Sequence, residues 1–171
     1  FTAMDRIKSF FSGKKLPQNT FSVNYYVNKA KELEKLGADI ITIKDMAGLM
    51  HPAFADRLFA RLSKEINIPI NMHSLSTPGY GLASMLVSIL NGVVIVDTSI
   101  LNFAGGTAAP AFEFVQLFAD KLDIDTGVNL EAVAKINKEL GEIMQDLSEF
   151  DNRKKVPMDY DIANDSIPTS I

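Results

Sequence analysis

The sequence contains no cysteine. Disulfides, thiolate metal sites and cysteine nucleophiles are therefore excluded, and the redox compartment stays open. There is no basic excess either: 17 Lys and Arg stand against 21 Asp and Glu, a formal net charge of -4. A phosphate-binding surface normally carries the opposite balance, so nucleic acid is not an expected partner. Arg6, Lys8, Lys14 and Lys15 do cluster, and read as a solvated helix-and-loop face rather than an anion site. No apolar run approaches the roughly 20 residues of a membrane helix. No secretory signal is visible, from which a cytoplasmic protein is expected. The chain begins at Phe1 rather than Met, so that test loses its force if the sequence is part of something longer.

What is present is a core. Hydrophobic residues make up 47% of 171 residues, enough for one globular domain with no sign of disorder over most of the length. The stretch Ile40-Ile41-Thr42-Ile43-Lys44-Asp45-Met46-Ala47-Gly48 sets the pattern. A β-branched run of strand length stops at a lysine and an aspartate, then turns through small residues into a helix opened by Pro52. Ile68 to His73 and Val93 to Thr98 repeat that grammar.

In chain order, Asp5 is expected to cap a short amphipathic segment, Arg6 to Phe11, ended by Gly13. From Ser22 to Leu36, Val23, Tyr26, Val27, Ala30, Leu33 and Leu36 recur at helical spacing until Gly37. Strands are expected at Asp39–Ile43, Ile66–Met72 and Val93–Val96. Helices are expected after Pro52, at Gly81–Leu90 and at Ala111–Leu122. Asn129 caps a longer helix whose Leu130, Val133, Ile136, Leu140, Ile143 and Leu147 are expected to point inward. The division expected is a barrel-like part over residues 1–150 and an extended, irregular tail over 151–171 leading to a following region.

Lys44, His73 and Asp97 are 29 and 24 residues apart, the length of one βα unit. Continuous apolar strands indicate a parallel sheet covered on its faces. Right-handed βα units bring their C-terminal strand ends to one edge, so these three residues are expected to be neighbours. A doubly wound sheet usually carries a glycine-rich phosphate loop, and none of these strands is followed by G-x-G-x-x-G or a Walker motif. The other fit is the C-terminal half of a (β/α)8 TIM barrel, since a whole barrel takes about 250 residues. Half a barrel leaves strand edges that need pairing, which makes the chain a fragment in this reading.

At this point the sequence resembles a family. Tyr25 to Asp39, then Ile43-Lys44-Asp45-Met46-Ala47-Gly48-Leu49, Pro69 to Gly79, Asp97-Thr98 and Gly105-Gly106-Thr107 resemble the carboxyltransferase domain of biotin-dependent enzymes. Pyruvate carboxylase, the oxaloacetate decarboxylase α subunit and the transcarboxylase 5S subunit belong to that family. The resemblance implies carboxyl transfer between carboxybiotin, on a carrier domain or subunit outside this chain, and a 2-oxo acid such as pyruvate or oxaloacetate. It also implies the remaining half of the barrel as partner, an oligomer, and a divalent metal, Zn, Mn or Mg. Lys44 maps onto the family's catalytic, carboxylated lysine ligand and His73 onto the first histidine of its His-x-His pair. A lysine at a partly desolvated barrel mouth holds neutral amine that can add CO2 and become an anionic, oxygen-donating carbamate. Gly105, Gly106 and Thr107 offer backbone N–H groups to a substrate carboxylate.

One position departs from the pattern: Leu75 stands where the family has its second histidine, and Asn71 shares the face of His73 only as a weak oxygen donor. Leu75 motivates an alternative, a metal-free, non-catalytic homologue that serves assembly of a carboxylase complex. A third reading, an aldolase-type lyase or synthase barrel, also needs paired histidines. Structural roles stand beside the chemical ones. Lys44 can serve an ion pair, His73 a hydrogen-bonded core, Gly105 to Thr107 a plain turn, and Asp45 and Asp97 the caps of following turns, the reading preferred for Asp97. His51, beside Pro52, reads as an exposed helix start, and Met46, Met50 and Met72 as packing.

Overall fold

The computed structural model describes residues 21–151. The segment expected at Arg6 to Phe11, the basic cluster around Lys14 and the tail after residue 151 lie outside the described residues. The order is α1 (Val23–Lys35), β1 (Ile41–Asp45), α2 (Pro52–Glu65), β2 (Ile70–Ser74), α3 (Gly81–Leu90), β3 (Ile95–Val96), a 3-10 turn (Leu101–Phe103), α4 (Phe112–Lys121) and α5 (Leu130–Asp146).

Local chemistry sets the helix ends. Ser22 caps α1 by accepting from Tyr25 N at 3.3 Å, and Gly37 takes the left-handed conformation that stops it. His51 starts α2, its Nδ1 accepting from Ala53 N at 3.1 Å ahead of Pro52. Asn129 starts α5 by accepting from Ala132 N at 3.0 Å. The exposed-helix-start reading of His51 therefore holds. No helix among the described residues is long and apolar enough to cross a membrane.

The strands run parallel in the order β1-β2-β3. Each sits slightly later than the apolar runs suggest. β1 includes Lys44 and Asp45 because their backbones still pair with His73 and Ser74, and backbone pairing rather than side-chain polarity ends a strand. β2 starts only at Ile70: Ile66 closes α2 with its N–H on Leu62 O, and Pro69 has no N–H to pair. Val93 N closes onto Ser88 O after α3, which shortens β3 to Ile95 and Val96.

Pleating sorts the side chains. Ile41, Ile43, Ile70 and Met72 point to the helices and are buried with Leu58, Phe59, Leu62 and Met85. Thr42, Lys44, Asn71 and His73 occupy the opposite face. Glu65 ties α1 to α2, accepting from Lys31 Nζ at 2.5 Å and Arg61 Nε at 2.8 Å. Those two cations hold its carboxyl down at about 2.

α5 corrects one expectation. None of Leu130, Val133, Ile136, Leu140, Ile143 and Leu147 is buried, and four of them are exposed. The helix is anchored instead through polar groups. Asn102 N donates to Asn137 Oδ1 at 2.9 Å, and Asn102 Nδ2 donates to Asn137 O at 2.7 Å. This contact turns Asn137 and Gly141 toward the 3-10 turn and leaves the apolar row without a cover among the described residues.

Candidate active site

The C-terminal ends of β1, β2 and β3 form one polar edge. Lys44 and His73 are register partners on adjacent parallel strands, on the face away from the helices. Asp97 follows β3 directly, its backbone N donating to Met72 O at 3.1 Å. The structure thus brings together the three residues that the βα spacing made neighbours.

Their individual roles separate. Lys44 is exposed and has no ion-pair or hydrogen-bond partner among the described residues, so the structural ion pair is not seen there. Its side chain borders a cavity beside β1. His73 is half-buried, and its Nδ1 lies 2.9 Å from Asp97 Oδ2. Asp97 therefore faces the imidazole rather than capping a turn, which corrects the reading preferred from sequence. No described backbone N–H reaches its carboxylate, which lies against Asn71 and His73 of β2 instead. Asn71 Nδ2 approaches the same carboxylate at 3.4 and 3.5 Å and Thr42 Oγ1 at 3.4 Å, long contacts at the limit of hydrogen bonding.

Asp45 does the capping. Its Oδ1 accepts from Leu49 N at 3.0 Å, and its Oδ2 from Met50 N at 2.9 Å and Ser74 Oγ at 3.1 Å. Its backbone O accepts from Leu75 N at 3.3 Å, which locks the turn after β1 to the loop after β2. Nothing in the sequence marked Ser74 as a partner in this cluster, and Asn71 stands out there only for sharing the face of His73; the strand register pairs both with β1 residues.

Gly105 and Gly106 both have positive φ, 86° and 55°. The Gly105 N–H is used within the loop, on Ala109 O at 3.1 Å. Ser76 N donates to Ala108 O at 2.9 Å and holds this loop against the one after β2. The turn role of Gly105 to Thr107 is present, at the same sheet edge as Lys44.

A cavity of about 530 Å³ lies beside β1, walled by Phe21, Tyr26, Phe54 and Met50 and bordered by Lys44 and Asp45. Burial first, then the charges of Tyr25 and Asp45, raise the Tyr26 phenol above its ordinary value. His73 is not among the cavity's lining residues.

As a metal centre the described residues are incomplete. Lys44 and His73 are two donors, Leu75 offers none, and catalytic zinc sites use three protein ligands. No cluster of three His, Cys, Asp or Glu suited to a metal occurs among the described residues. These residues do not fit the ion on their own.

A family described as HMGL-like matches residues 15–140. A pyruvate carboxylase subunit of Methanocaldococcus jannaschii is 39% identical over 115 residues, 67% of this chain and 20% of that protein. Pyruvate carboxylase of Staphylococcus aureus is 31% identical over 139 residues, 81% of this chain and 12% of that protein. The carboxyl transferase domain of Rhizobium etli pyruvate carboxylase, solved with pyruvate, superposes with a TM-score of 0.69 at 32% identity. That match covers 74% of this chain and 21% of the other. The chain thus spans a fifth or less of the length of these two curated relatives.

Proposed function

The chain belongs to the HMGL-like family, as a section of the TIM-barrel carboxyltransferase domain of biotin-dependent enzymes, and from that we propose that it helps move a carboxyl group between carboxybiotin and a 2-oxo acid. The observation that carries the reading is the side-by-side register of Lys44 and His73 at their strand ends. Barrel enzymes build their active sites at that edge.

In this reading Lys44 is the catalytic lysine. Its amine adds CO2, loses a proton and becomes a carbamate. The 2-oxo acid, pyruvate or oxaloacetate, lies over the strand ends with its carboxylate at the turn of Gly105 to Thr107, met by the N–H groups of Gly106 and Thr107 because that of Gly105 is given to Ala109 O. Biotin arrives on a carrier domain or subunit outside this chain, and the remaining half of the barrel closes the sheet. A cytoplasmic oligomer accords with such an enzyme. Residues 1–150 are taken as the barrel part and 151–171 as an extended connection. A divalent ion belongs to the family's chemistry, and Lys44 and His73 are its proposed donors here. Its other donors would come from outside the described residues.

Leu75 favours a second reading, a metal-free, non-catalytic homologue that keeps the barrel for assembly with carboxylase partners. The intact parent protein separates the two. Pyruvate-dependent decarboxylation of oxaloacetate, with stoichiometric divalent metal that is lost in Lys44→Ala, is the expected result. Neither metal nor that activity would sink the enzymatic reading and leave the assembly role.

A further inference from the structure

The two histidines of this chain sit in opposite hydrogen-bond settings. His51 Nδ1 accepts from the Ala53 backbone N–H at 3.1 Å, so the proton of a neutral His51 ring belongs on Nε2. His73 Nδ1 faces Asp97 Oδ2 at 2.9 Å. A carboxylate only accepts, so the proton of a neutral His73 ring belongs on Nδ1. Asp97 is itself held from two sides. Its backbone is pinned to β2 through Met72 O at 3.1 Å, and its carboxylate is approached by the Asn71 amide. His73 Nε2 has no partner among the described residues, and the ring stands on the face of the sheet that carries Lys44.

We propose that Asp97 is a positioning residue that fixes His73 as its Nδ1–H tautomer and leaves the Nε2 lone pair free at the barrel mouth. A carboxylate behind an imidazole orients the ring and makes its far nitrogen a better base or ligand. What that lone pair meets rests on the carboxyl-transfer reading; the tautomer does not.

The test is nitrogen NMR of the full-length protein with labelled histidine, at a pH where the rings are neutral and with no substrate added. His73→Gln and His51→Gln assign the two signals by their loss. His73 is expected to carry its proton on Nδ1 and His51 on Nε2. Replacing Asp97 by Ala is expected to lower the His73 ratio of Nδ1–H to Nε2–H by roughly tenfold or more, the scale of a hydrogen bond to a charged group. Asp97→Asn keeps the side-chain volume should Asp97→Ala fail to fold, and its carboxamide, able to donate as well as accept, lowers the ratio in the same direction. A wild-type His73 with a bare Nδ1, or a ratio unchanged in the Asp97 variants, overturns the proposal. Because no substrate is present, a protein that transfers no carboxyl group is decided by the same spectrum.

Discussion

Leu75 lies two residues beyond His73 on backbone that is already fixed. Its N–H is given to Asp45 O at 3.3 Å, and its carbonyl is wedged between Gly48 and Gly81. Its half-buried side chain takes no part in that lock, so the residue can change while the loop stays. Leu75→His in the full-length protein is therefore expected to fold and to bind a divalent ion at least tenfold more tightly than the parent, because each added donor strengthens a cation site. Isothermal titration with Zn or Mn checks this. Unchanged affinity in a folded variant would mean that position 75 does not face the site. Asp45 and Asp97 make the complementary point at this scale: both follow apolar runs, yet one ties a turn and the other holds an imidazole.

The turn after β1 and the loop after β2 behave as one element. A Cβ on Gly48 would stand 2.2 Å from Leu75 O, and Gly48 also sits at φ +64°. Gly48→Ala thus adds a backbone collision to left-handed strain. Gly127 has nearly the same conformation, φ +67°, with nothing within 4 Å of a built Cβ. Gly127→Ala is expected to cost about 1 kcal/mol for the strain, and Gly48→Ala about 3 kcal/mol or more. Urea unfolding of both variants gives the comparison; equal costs would show that Leu75 moves aside freely. Two members of the Lys-Asp-Met-Ala-Gly run thereby gain a physical account: aspartate for the lock, glycine for the close approach.

Over the whole molecule, the described sheet has three strands and two outer edges, β1 and β3. The face of the sheet away from the helices carries polar side chains, Thr42 and Lys44 among them exposed, and four apolar residues of α5 stand exposed among the described residues. Unpaired edges and open apolar faces associate. These 171 residues expressed alone are expected to run as oligomers or aggregates in size exclusion, with a monomeric and compact species counting against the incomplete-barrel architecture. Leu33 and Leu36, at the end of α1, are also exposed, at 48% and 77%.

The sequence determined the element types, because the signals for these are local: helical spacing in α1 and α5, β-branched runs in the strands, Ser22, His51 and Asn129 as starts and glycines as stops. It also determined that Lys44, His73 and Asp97 share one sheet edge, since equal βα repeats leave a right-handed parallel fold little choice. Strand ends escaped it by up to four residues, because pairing across the sheet, not apolarity along the chain, decides where a strand begins. Partners escaped it as well. Whether Asp97 caps a turn or grips His73 depends on the register between β2 and β3, and the way α5 turns among the described residues depends on one asparagine pair formed across 35 residues. Those contacts exist only once distant segments meet, and no local pattern encodes them.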